Sequence, residues 1–205
     1  MKNIDKIESF LETVEGERQT VGYIPCFKKS GGTANYKGVG NPVNYVPMGA
    51  SGVTIATGVD LGQTDMNTLR SNGVPLGIIN PLIPYIGKRK AEALEVLHRI
   101  PLTVSPAVAE TLDHCMHKYH LNIISARYDR EAGKGAFDAA PWQVQAVIYS
   151  LLYQHGTSGM RKFPKTWRFL VAGQWEEAAR ELCSTNWSEY IGRRNAEGKL
   201  LLGAV

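Results

Sequence analysis

Apolar residues recur along this chain with two different periods, and the change from one to the other divides it. Ile4, Ile7, Phe10, Leu11 and Val14 lie three or four residues apart, so the spacing predicts an amphipathic helix over 3–14, stopped by Gly16. Between Gly22 and Gly52 that period disappears. Glycines with Pro25, Pro42 and Pro47 break any helix, and short apolar runs such as 21–26 predict strands or loops of a small lobe. The run 51–63, Ser-Gly-Val-Thr-Ile-Ala-Thr-Gly-Val-Asp-Leu-Gly-Gln, is rich in β-branched residues, and Gly58 permits a tight reversal near Thr57. A hairpin follows. Alternation puts Thr54 and Asp60 on one face, and the reversal sets them across from each other.

Downstream the helical period returns. A short helix is predicted at 66–69 and another over 88–98, with a segment punctuated by proline and glycine between them at 75–87. Ser105 and Pro106 form an N-cap and first-turn pair that opens a long helix. Its expected stripe is Val108, Leu112, Cys115, Tyr119 and Ile123, with a break before Tyr128. Pro141 begins a helix whose Val144, Ala146, Val147, Ile148, Leu151 and Leu152 cover nearly its whole circumference, which demands burial on all sides. Two further helices are bounded by Pro164, Gly173 and Ser184, before Trp187, Arg193, Arg194 and an apolar tail. The layout is α+β, mainly α, read as one domain over 1–205. A β-containing lobe spans about 15–65. Residues 1–14 and about 88–205 form a helical lobe around the central helix, and a cleft between lobes is the expected binding site.

Composition narrows the classes of function. A chain 43% hydrophobic and 20% charged fits a globular domain. No apolar stretch approaches the ~20 residues of a spanning helix, so membrane insertion is not expected. No signal peptide opens the sequence, so any work done outside the cytoplasm would require another export route. The formal charge of +4 is spread without a dense block, which argues against nucleic acid and leaves an anionic polymer open. Cys26, Cys115 and Cys183 show neither a disulfide framework nor metal spacing; the last two fall on helix stripes and read as small core residues. His114, His117 and His120 lack an acidic or cysteine partner and read as a solvated helix flank rather than a zinc site. His155, before a helix-ending glycine, reads as a C-terminal dipole partner. No metal or organic cofactor is implied.

Glu15 stands out because a carboxylate at a helix C-terminus opposes the macrodipole, and broken local rules mark functional positions. Tyr23, Tyr36 and Tyr45 interleave with the turns of the small lobe, where they either stack on sugar rings or fill its core.

Several segments, taken in order, carry a resemblance. The stretch Val14-Glu15-Gly16-Glu17-Arg18 resembles the Glu-Gly motif of the phage-type lysozymes (endolysins), and Gly52-Val53-Thr54-Ile55-Ala56-Thr57-Gly58 resembles the hairpin that follows it. The run 153–159 is similar to the end of that family's central helix; 175–179 and 184–194 are similar to its last helices. One departure is informative: no aspartate lies between Glu15 and Thr54, and Asp60 follows the threonine instead. That order is similar to the lysozyme-like toxin domains of the pesticin type. The resemblance implies a two-lobed phage-lysozyme-like fold and a muramidase that cleaves the β-1,4 bond between N-acetylmuramic acid and N-acetylglucosamine. It implies Glu15, Thr54 and Asp60 as catalytic residues, and Gln154, Arg194 and Tyr23 as substrate-binding or support residues, with Arg194 pairing with Glu15. The implied partners are a peptidoglycan strand and a cognate immunity protein, met by a monomer acting as toxin, effector or endolysin. The alternatives are a peptidoglycan-binding module without chemistry, or a glycosidase acting on another amino-sugar polymer such as chitin.

Overall fold

The first amphipathic stretch forms the helix its spacing predicts. α1 (Ile4–Glu15) buries Ile7 and Leu11, and Gly16 ends it at φ +92°, a left-handed conformation that favours glycine. In this computed structural model the chain is described over residues 3–156, 158–184 and 190–204. It divides into two units: Met1–Val14 with Lys118–Val205, and Glu15–His117.

The second unit holds a five-stranded antiparallel sheet. β1 (Gln19–Lys28) is its long strand, with alternate residues Gly22, Ile24 and Cys26 turned inward. β2 (Thr33–Tyr36) pairs along one side of it; β3 (Tyr45–Pro47) and β4 (Thr54–Ala56) pair along the other, and β4 carries β5 (Val59–Asp60). The predicted hairpin is β4–β5. Its reversal passes through Thr57 and Gly58, the latter at φ +88°, and its register pairs Thr54 with Asp60 and Ile55 with Val59. Cys26, at the end of the apolar run 21–26, is a fully buried strand residue.

α2 (Met66–Ser71), α3 (Leu76–Leu82) and α4 (Lys90–Arg99) complete most of this unit. α3 occupies the segment whose prolines suggested irregular chain. Pro75 sits at its N-cap and Pro81 in its last turn, where proline removes a single helical hydrogen bond. The sheet-bearing unit therefore extends beyond residue 65 to His117.

α5 (Pro106–Ala132) runs 27 residues without the expected break before Tyr128. The boundary between the units falls inside it, and its buried side differs along its length. Ala109, Leu112 and Met116 are buried in its first half, then Leu121, Ile124 and Tyr128. A single stripe was the wrong template. Ile123 is exposed, Cys115 only half-buried, and His117, expected on a solvated flank, is buried.

In the other unit α6 (Ala136–Ala139) precedes α7 (Trp142–His155), in which every residue from Val144 to Leu152 is buried. α8 (Pro164–Val171), α9 (Trp175–Ser184) and α10 (Ile191–Leu202) pack with α1 on a core that joins Ile7 and Leu11 to Val147, Leu151, Trp167, Leu182 and Leu201. α9 and α10 approach closely at Gly198, where a Cβ would lie 2.9 Å from the Ala179 carbonyl oxygen. Cys183, expected inside, is exposed. Trp187 and Thr157 lie outside the described residues. The fold is α+β and mainly α, phage-lysozyme-like.

Candidate active site

Glu15, Tyr23, Thr57, Gln19 and Asn35 line a cavity of about 120 Å³ in the sheet-bearing unit, where α1 ends and β1 begins. That is room for a few water molecules, each taking roughly 30 Å³. Two local features build it. The β1–β4 register shifts between Gln19 and Tyr23, the kind of irregularity that re-aims a side chain. At the shift sits Gly22, where a Cβ would come within 2.8 Å of the Leu102 Cβ.

Tyr23, Thr54 and Asp60 stand in register across β1, β4 and β5, with Tyr23 opposite Thr54 and Thr54 opposite Asp60. The Tyr23 phenol is pushed up from its ordinary pKa, first by burial, then by the charge of Glu15 and next by that of Asp60. Both carboxylates therefore lie within electrostatic reach of one hydroxyl. Thr54 is buried, and neither it nor Asp60 lines the cavity. Tyr36 belongs to the core and Tyr45 is half-buried.

The Asp60 carboxylate is tightly held. It accepts from the Gly62 N–H at 2.9 Å, the Gln63 side-chain amide at 2.9 Å and the Gly52 N–H at 3.1 and 3.3 Å. Those amides reach it because two backbones nearly touch: a Cβ on Gly52 would lie 2.5 Å from the Gly62 Cα. Glycine at 52 and 62 is thus the condition for fixing this charge. The same contacts cap a one-turn 3-10 helix over Leu61–Gln63.

The turn of the hairpin is anchored from α5. Asp113, 1% exposed, accepts from the Thr57 N–H at 2.8 Å, the Thr57 hydroxyl at 2.7 Å and Arg18 Nε at 2.8 Å. Sequence reasoning missed this residue. Its signal was present: Asp113 lies four residues after Ala109 and three before Met116, so it occupies the buried side of the helix, where a carboxylate needs partners.

Gln154 and Arg194 fall in the helical unit. Arg194, 1% exposed, donates to Gln154 Oε1 at 2.6 Å and lies 3.0 Å from Glu197, which is itself fully buried. Ser150 donates to Glu197 at 2.6 Å, and Arg193 reaches both. Such burial suits support better than contact with substrate. His155 is not the cationic dipole partner the sequence suggested. Burial first, then the positive charges of Lys162, Arg194 and Arg193, push its pKa from 6.5 to about 4, so the ring is neutral. Among the described residues no group of three or more His, Cys, Asp or Glu is placed to hold a metal ion.

A small antiparallel sheet that follows a helix ending in a glutamate, and a mainly helical unit built around one buried helix, are the elements of a lysozyme-like protein. Residues 3–176 match the family described as "Pesticin: Bacterial toxin homologue of phage lysozyme, C-term", and the chain belongs to that family. No curated protein matches it. Family membership suggests a glycoside hydrolase.

Proposed function

We propose that the chain hydrolyses the β-1,4 bond between N-acetylmuramic acid and N-acetylglucosamine in peptidoglycan, with inversion. Glu15 is the general acid that protonates the leaving oxygen. Asp60 and Thr54 hold a water on the opposite face of the sugar, a geometry that requires carboxyl groups roughly 6.5–9.5 Å apart. Tyr23, within electrostatic reach of both carboxylates, donates a hydrogen bond to the reacting ring or to that water. Gln154 and Arg194 act as support. The observation that carries this reading is the Tyr23 phenol, on which both Glu15 and Asp60 act, beside a cavity that Glu15 lines. Family membership supports a bacterial toxin or lytic enzyme; its delivery to peptidoglycan by another route and an immunity protein as its counterpart are part of the same proposal.

Glu15→Gln is expected to lower clearing of purified cell wall by about 10²–10⁴-fold, the usual range for a general acid, with an unchanged unfolding midpoint. Full activity in that variant would remove Glu15 from the role. Mass spectrometry of the released fragments identifies the bond: a muramic acid reducing end supports the proposal. Wall retention without any released reducing end would support the binding module, and cleavage of chitin alone would reassign the substrate.

The donors around Asp60 favour a second reading, in which this carboxylate only shapes the turn. Gln63→Ala separates the two. It withdraws one donor without touching the carboxylate, so activity survives if Asp60 holds water and falls together with stability if Asp60 is only a brace.

A further inference from the structure

The helical unit carries a second concave feature whose chemistry the proposed reaction does not use. A pocket of about 290 Å³ is lined by Arg127 and Arg130 of α5, by Arg161 of the 3-10 turn after α7 (Gly159–Lys162) and Ser158 at its N-cap, and by Ile123 and Met160. Its charged lining residues are all arginines. We infer that this pocket takes a phosphate group.

The spacing of the donors carries the argument. Arg127 and Arg130 are three residues apart on an α-helix and so share a face, one turn on from Ile123. Ser158 and Arg161 are also three apart, the repeat of a 3-10 turn, which aligns their side chains. Two rows of donors from different elements therefore converge on one hollow. Guanidiniums remain charged at any working pH, so clustering three of them costs repulsion that a bound anion relieves.

Two cations elsewhere meet an acid four residues away: Lys88 meets Glu92 and Arg180 meets Glu176. Here only Arg127 does. It pairs with Glu131, and its guanidinium stands 5.7 Å from the centre of the Trp167 ring and 3.8 Å from Met160 Sδ. Those contacts hold it in place before any ligand arrives. Arg130 and Arg161 have no carboxylate partner among the described residues, and both are exposed. Donors on two elements, including a hydroxyl, suit the three or four oxygens of a tetrahedral phosphate better than the two coplanar oxygens of a carboxylate.

The test titrates the full chain with inorganic phosphate at constant ionic strength, following the side-chain Nε–Hε signals of the arginines by NMR. Saturable shifts are expected at Arg127, Arg130 and Arg161 and not at Arg70 or Arg99. In Arg161→Gln the apparent affinity is expected to fall about tenfold, as the loss of a charge-assisted bond implies. A second arm replaces free phosphate with a soluble glycerol-phosphate polymer. Tighter binding of the polymer makes phosphodiester chains the source, and tighter binding of phosphate makes the free ion the source; either supports the pocket. Shifts that never saturate, that appear equally at Arg70 and Arg99, or that persist unchanged in Arg161→Gln would overturn it.

Discussion

Each unit buries a carboxylate, and the two are used differently. Asp113 takes its three donors from a turn and from the segment after α1, fastening flexible chain to a rigid helix. Glu197 lies in a helix and ties helices: Ser150 of α7 donates to it, and Arg193 and Arg194 of its own α10 flank it. Burial pushes the Glu197 carboxyl up, against the pull of Arg194, Ser150 and Arg193. Both sites satisfy the rule that a buried charge keeps partners. One positions loop atoms beside a cavity; the other locks elements that already pack through an apolar core. Similar physics supports a site in the first case and a scaffold in the second.

The largest effect should come from breaking the scaffold. Glu197→Ala withdraws the carboxylate from two buried guanidiniums and is expected to cost about 3–5 kcal/mol in denaturant unfolding. Activity per folded molecule should change far less. Asp113→Asn reverses that balance. Its amide puts a donor where Thr57 or Arg18 already donates, at a cost of about 1–3 kcal/mol, while a displaced turn should lower turnover on cell wall by up to about 100-fold. A stable variant with full turnover would reduce Asp113 to a fold residue. Thr57→Val sharpens the same point. It removes the hydroxyl bond but keeps the N–H bond, so about 1 kcal/mol is expected, and its effect should largely vanish in the Asp113→Asn background.

The smallest effect concerns pH. The folded pKa of His155, about 4, lies below the ordinary 6.5, so the unfolded chain binds more protons between those values. The stability from the neutral ring is present above about 6.5 and declines as pH falls through 4. His155→Phe should flatten that part of the stability profile measured by thermal unfolding.

Elements with a strong local period were legible in the chain. α1, the β4–β5 hairpin and α7 follow from spacing and from Gly16, Gly58 and Gly156, and the facing of Thr54 and Asp60 follows from alternation and the reversal at Gly58. α5 was misread because one helix serves two cores, so no single stripe describes it. α3 was hidden by its prolines. Asp113 escaped because an isolated acid within a helix looks solvated until the partners that bury it are known. For the site, residue types and order suggested Glu15, Thr54 and Asp60. The small volume around Glu15 depends on the register shift at Gly22, and the donors enclosing Asp60 on close backbone approach at Gly52 and Gly62, neither of which spacing announces.

The helical unit is built from two separated stretches of chain, Met1–Val14 and Lys118–Val205. During synthesis α1 leaves the ribosome before the rest of its unit, and Leu121, Val147, Leu151 and Leu201, members of the core it joins, emerge only after the whole sheet-bearing segment. At roughly 5–20 residues per second the nascent helix waits for seconds with Ile7 and Leu11 uncovered. A helix made before the sheet-bearing segment completes its packing only after that segment has been made.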